Sequence, residues 1–210
     1  MTTKMVEDAT ANKKVDEALF GTCLDTILII STQPAGQKGL AAAEASPVLV
    51  AGTKTALVKS SAPLSRSHVA ILGNLATEAT QSKSMLKLQG PVAVVDVMKM
   101  HPGNPQVQEA ATGALRNMCV DEHGRLHVVN ADAIDTIINA MRTHAEIPRV
   151  VQNGISALIN LSQSSNKNKA TMRRAGVIPL VKSAIAAHPG AKHLVEVGMF
   201  FLQELGVKSL

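Results

Sequence analysis

One segment recurs along the chain. His101 to Met118 reads HPGNPQVQEAATGALRNM, His144 opens HAEIPRVVQNGISALINL, and His188 opens HPGAKHLVEVGMFFLQEL. Aligned on the leucine near the end of each copy, Leu72, Leu115, Leu158 and Leu202 follow one another at steps of 43, 43 and 44 residues. Asn74, Asn117 and Asn160 stand two residues after the first three, and Glu204 takes that place in the fourth. Met98 and Met141 repeat the step, as do His101, His144 and His188, and a weaker copy places Leu28 44 residues before Leu72. A period in the low forties indicates an α-solenoid. Each unit has an apolar face that it cannot bury alone, and stacking joins those faces into one core.

Within a unit the pattern resolves into three helices. In the fourth, SNKNKATMRRA is short and charged, Gly176 breaks it, and VIPLVKSAIAAH follows with Ile178, Val181 and Ile185 on one stripe. Pro179 falls in the first turn, where a missing N–H costs nothing. Gly90 and Asp132 are expected at the same break in earlier units. The spacing predicts third helices at about 15–32, 63–78, 105–119, 147–163 and 190–207. The units become 15–32 (partial), 36–78, 82–119, 123–163 and 165–207, about four and a half repeats within 15–210, behind a polar extension at 1–14.

Composition agrees with close helix packing. Hydrophobic residues make up 46 % of the 210 residues, with three Phe, no Tyr and no Trp, so the core is built from Leu, Ile, Val, Ala and Met rather than from strand-favouring aromatics. The lack of aromatic platforms argues against reading single-stranded nucleic acid. Cys23 and Cys119 lie in apolar stretches and read as small buried hydrophobes. The opening MTTKMVEDATANKK has no signal-peptide pattern, and no apolar run approaches a membrane span. A soluble, intracellular protein is expected, in the cytoplasm or, alternatively, in an organelle assembly.

The residues quoted above resemble the armadillo repeat. AGVIPLVKSAI is similar to the family's junction of first and second helices, and VQEAATGALRNM and VVQNGISALINLS to its third helix. The His-Pro ending of the second helix resembles a subclass of that family. The likeness is fullest over 85–190, looser over 47–84 and faint over 1–46. It implies an all-α, right-handed α-α superhelix that acts as a non-enzymatic protein-binding scaffold, adaptor or structural subunit, with no cofactor.

In peptide-binding armadillo proteins an asparagine ladder on the concave face holds an extended chain. The resemblance therefore implies roles for Asn74, Asn117 and Asn160, although the same amides equally suit cross-links between repeats. The tryptophan of the importin-like groove is missing, since its positions hold Ala70, Gly113, Ser156 and Phe200. A floor of small residues, with Asn153 one turn earlier, admits a partner's backbone. Arg116 and Arg149 flank it and suit an acidic peptide or helix.

The array's end offers a second contact, at Met199 and Phe200. The alternative function rests on charge. Eight basic residues and one acid between Arg142 and Lys192 give a stretch of net +7 in a chain of net +5, and Lys167, Lys169, Arg173 and Arg174 concentrate it as a patch for nucleic acid or acidic lipid. His101, His144 and His188 each end a second helix, where they satisfy terminal carbonyls. His123 and His127 share a helix face without a third ligand. GTKT at Gly52 lacks the upstream glycine of a phosphate loop, and nothing assembles a nucleophile, base and oxyanion donor.

Overall fold

The computed structural model describes residues 2–11 and 14–207. Met1, Asn12 and Lys13 of the expected extension, and Lys208, Ser209 and Leu210 at the other end, lie outside the described residues. The rest is helix and connection. In order the helices are α1 (Thr2–Thr10), α2 (Glu17–Ser31), α3 (Pro34–Ala42), α4 (Ala45–Thr53), α5 (Ala56–Ser60), α6 (Ala62–Leu75), α7 (Ala79–Lys87) and α8 (Gly90–Met100). They continue as α9 (Pro105–Met118), α10 (Glu122–Asn130), α11 (Ala133–Thr143), α12 (Pro148–Ser162), α13 (Asn166–Arg174), α14 (Val177–Ala187) and α15 (Lys192–Glu204).

Three layers follow from the period. First helices are α3, α7, α10 and α13; second helices are α4, α8, α11 and α14; third helices are α2, α6, α9, α12 and α15. Each third helix packs on the next, and each second helix on the next. The core runs between these two layers. Leu72, Leu115, Leu158 and Leu202 all lie in it, as do Met98 and Met141. α6 and α9 approach closely because Gly73 has no side chain: a Cβ there would stand 2.9 Å from Ala114 Cα.

Helix starts use local side chains. Asp16, Asn104, Asp121 and Ser165 each accept a hydrogen bond from the backbone N–H three residues on, at 2.7–3.2 Å. Pro34, Pro63, Pro91, Pro105 and Pro148 sit in first turns. The chain reverses between first and second helices through a single left-handed residue: Glu44 (φ 49°), Gln89 (φ 62°), Asp132 (φ 57°) and Gly176 (φ 76°). The expected break at Gly90 is therefore corrected to Gln89, which the 43-residue step back from Asp132 also marks. Only Gly176 takes this backbone without a Cβ penalty.

The N-terminal region also differs from expectation. Residues 2–10 form α1, whose Met5, Val6 and Ala9 are buried. α1 packs on α4 and touches α2, so it stands where a preceding unit's second helix would stand. The partial first unit thus has a second-helix equivalent and a third helix.

Candidate functional site, a groove over the third helices

The third helices of three successive units, α6, α9 and α12, enclose a depression of about 320 Å³. Asn74, Gly113, Arg116, Asn117, Arg149 and Asn153 all line it. Ser156 and Asn160 belong to the same face but do not line the depression. Its floor is small, from Ala70, Gly73, Ala110, Gly113 and Ala114. A neighbouring depression toward α2 is lined by Asp25 and Ser67 and shares Arg66 and Gln106 with the first.

The asparagines are placed on this face, but their amides turn to the protein. Asn117 Nδ2 donates to Gly73 O at 2.8 Å, Asn160 Nδ2 to Arg116 O at 3.3 Å, and Asn74 Nδ2 to Ser31 Oγ at 2.9 Å. Asn153 Nδ2 likewise donates to Glu109 O at 3.3 Å. Each bond crosses to the third helix of the preceding unit. Of the two roles open to these amides, the geometry realises the cross-link. Ser156 Oγ also bonds inward, to Gln152 O at 2.9 Å.

The acceptor ends of two amides do different work. Arg116 donates through Nε and one terminal nitrogen to Asn117 Oδ1, both at 3.2 Å, and through the other to Asn153 Oδ1 at 3.0 Å. Its guanidinium is thus fixed in the groove wall while part of its donor set remains unused. Arg149 pairs with Glu109 at 3.3 Å across two units, in an exposed and therefore weak ion pair. Arg66 forms no ion pair among the described residues. Three arginines and one carboxylate line the first depression, so its field is positive.

Sequence reasoning misses Arg66, Gln106 and Glu109. A signal for two of them exists: Arg66, Glu109, Gln152 and Glu196 all stand eight residues before the asparagine position of their unit. Their chemistry changes from unit to unit, which masks the shared register.

The second ladder is histidine. His144 Nε2 donates to Pro102 O at 2.8 Å and His188 Nε2 to Ala145 O at 2.7 Å, while His101 Nε2 meets Ser65 Oγ at 3.2 Å. His101, His144 and His188 do cap α8, α11 and α14. Their rings, however, reach the preceding unit instead of closing their own helix. His123 and His127 stack edge to face with centroids 4.7 Å apart.

The basic patch is partly spent on structure. Lys169 bonds Glu204 at both its carboxylate (3.1 Å) and its carbonyl (3.3 Å), and Arg173 donates twice to Leu205 O, at 3.1 and 2.9 Å. These cations close the C-terminus of α15, where carbonyls lack partners. Lys167 and Arg174 stay exposed, Arg174 beside Thr171 Oγ1 at 3.4 Å. At the far end Met199 and Phe200 are exposed, whereas Phe201 and Leu205 pack inside. Burial pushes the Cys119 thiol up to about 12, so it stays protonated and inert.

No family model and no curated protein matches this sequence. Solved structures do match. An engineered protein of the Northeast Structural Genomics Consortium superposes with a TM-score of 0.72 at 15 % identity, over 98 % of this chain and 96 % of that one. A designed armadillo repeat protein gives 0.60 at 15 % identity, over 98 % and 100 %. The fold is an armadillo-like helical repeat. A second engineered protein of the same consortium gives 0.61 at 16 % identity, over 94 % and 98 %. At such identities the likeness concerns the armadillo-like fold alone. No single helix is long and apolar enough to cross a membrane among the described residues.

Proposed function

We propose that the protein is a non-enzymatic protein-binding scaffold whose third-helix groove holds an acidic segment, extended or helical, of a partner protein. The observation that carries this reading is the fixed Arg116 guanidinium beside Arg66 and Arg149, above a floor without bulky side chains. A guanidinium held in advance offers its remaining N–H donors and its charge to a carboxylate with little ordering cost. The small residues let the partner's chain approach within hydrogen-bond range, about 2.9 Å. Asn74, Gly113, Asn117 and Asn153 act in this role as the floor and as the supports of Arg116. Ser156 and Asn160 hold the adjoining turn of α12.

The test is affinity purification from the source cells with wild-type and variant baits, identified by mass spectrometry. Proteins retained by the wild-type chain are expected to be lost with Arg66→Glu plus Arg116→Ala, and kept with Phe200→Ala. If the double variant folds and retains the same proteins, the groove reading fails. Loss with Phe200→Ala instead would assign the contact to Met199 and Phe200.

A further inference from the structure

The groove continues past the first depression. The second, of about 430 Å³, lies over α2, α6 and α9 and shares Arg66 and Gln106 with the first. Together they make one path across α2, α6, α9 and α12. The charges along it change sign. Asp25 of α2 is the one carboxylate that lines the second depression among the described residues. Ser67 Oγ of α6 donates to Asp25 Oδ1 at 3.0 Å, which holds the carboxylate at the depression and leaves its second oxygen to accept from elsewhere. Asp25 and Arg66 line the same depression, yet neither forms an ion pair among the described residues.

In the first depression Arg149 is paired with Glu109, so the uncompensated charges are Arg66 on α6 and Arg116 on α9. The order along the path is therefore negative on α2, positive on α6 and positive on α9. A helix with its side chains is about 10–12 Å across, and laid along this path it would need far more room than depressions of about 320 and 430 Å³ provide. An extended chain fits. Packed helix axes stand about 8–10 Å apart, and an extended chain advances about 3.3 Å per residue. One helix step thus matches about three residues of ligand.

We infer that the segment held in this groove carries both signs of charge in a fixed register: a basic residue at Asp25, an acidic residue about three positions on at Arg66, and a second acidic residue about three further on at Arg116. This rests on the reading of the groove as a site for an acidic segment, and adds to it the cationic position and the spacing. Asp25 then acts as a specificity determinant. It attracts a lysine or arginine placed there, and it repels a segment that is acidic throughout. Asp25 is exposed, so an ion pair formed on it is screened and changes affinity by about two- to fivefold rather than by orders of magnitude.

Fluorescence anisotropy on the full chain with labelled synthetic peptides tests this, at about 10 mM salt, where charges are screened little. The probes are Lys-Gly-Ser-Glu-Gly-Ser-Glu, the same peptide with glutamine or glutamate in place of the lysine, and each sequence reversed, which covers both chain directions. In at least one direction the wild type is expected to bind the lysine peptide about two- to fivefold more tightly than the glutamine peptide, and the glutamate peptide least tightly. Asp25→Asn is expected to bind the lysine and glutamine peptides alike, and Asp25→Lys to reverse the wild-type order. The wild-type comparison does not depend on either variant folding. Equal binding of the lysine and glutamine peptides by the wild type overturns the inference, as does a lysine preference that survives Asp25→Asn. Arg66→Glu plus Arg116→Ala is expected to lose the glutamine peptide, which tests the underlying reading separately. If the wild type binds all the peptides alike and the double variant loses them, the acidic-segment reading stands and the fixed register falls. If the wild type binds none, both fall.

Discussion

At the scale of single residues, asparagine is structural before it is functional. Asn117 spans two units through its Nδ2 and holds Arg116 through its Oδ1. Asn117→Ala removes a half-buried bond and an anchor at once, and is expected to cost about 1–2 kcal/mol of folding stability. Chemical denaturation checks it: an unchanged midpoint would remove the amide from the set of cross-links. His68 is the other informative residue. It is fully buried beside Phe20, its Nδ1–H donates to Leu64 O at 3.0 Å, and its Nε2 has no partner. Burial drives its pKa from 6.5 down to about 4. Below pH 6.5 the unfolded chain takes up a proton that the folded chain refuses until about pH 4. Stability is therefore full above pH 6.5 and falls as the pH drops toward 4, by roughly 3 kcal/mol at about 1.4 kcal/mol per unit. Urea unfolding at several pH values reads this slope, and His68→Leu is expected to flatten it.

At the scale of elements, what matters is how one helix is tied to another. α6 and α9 touch through Gly73 and Ala114, and a side chain at Gly73 would meet backbone at 2.9 Å. Gly73→Val is expected to destabilise by about 1–3 kcal/mol or more, as overpacking does where the neighbour cannot rotate away. A melting temperature equal to wild type would show that the two helices part without cost. α15 ends against α13, whose Lys169 and Arg173 cap it. With Arg173→Ala the Leu205 carbonyl loses both donors, and the last turn of α15 is expected to exchange its amide hydrogens faster while α12 is unaffected. Equal exchange in that turn would assign Arg173 to the surface.

For the whole molecule, contacts run almost wholly between adjacent units, so stability is distributed along the array instead of being all-or-none. α9 and α12 have neighbours on both sides and several fully buried side chains; α3 buries none. Hydrogen–deuterium exchange followed by mass spectrometry is expected to show strongest protection in α9 and α12, declining outward to α3. Uniform protection from end to end would instead describe a single cooperative domain. The same layout leaves a continuous third-helix face over α6, α9 and α12.

The period of 43 residues, read alone, determined the architecture, because only positions that meet the same neighbour in every unit must repeat. Leu72, Leu115, Leu158, Leu202, Met98 and Met141 are all in the core, Leu28 of the weaker copy packs half-buried against it, and the third helices end within a few residues of the expected bounds. Other features depended on atoms far apart in sequence. An amide on a helix face has a donor and an acceptor, and the 43-residue step does not say whether they meet solvent or a helix 44 residues back; the close approach at Gly73 decides it. The basic run reads as one patch until α15 brings its carbonyls to Lys169 and Arg173. Residues 2–10 read as part of the polar extension at 1–14 because Met5, Val6 and Ala9 are too few to register as an amphipathic stripe. What makes them a helix worth forming is the bare face of α4, which exists only once the array has stacked.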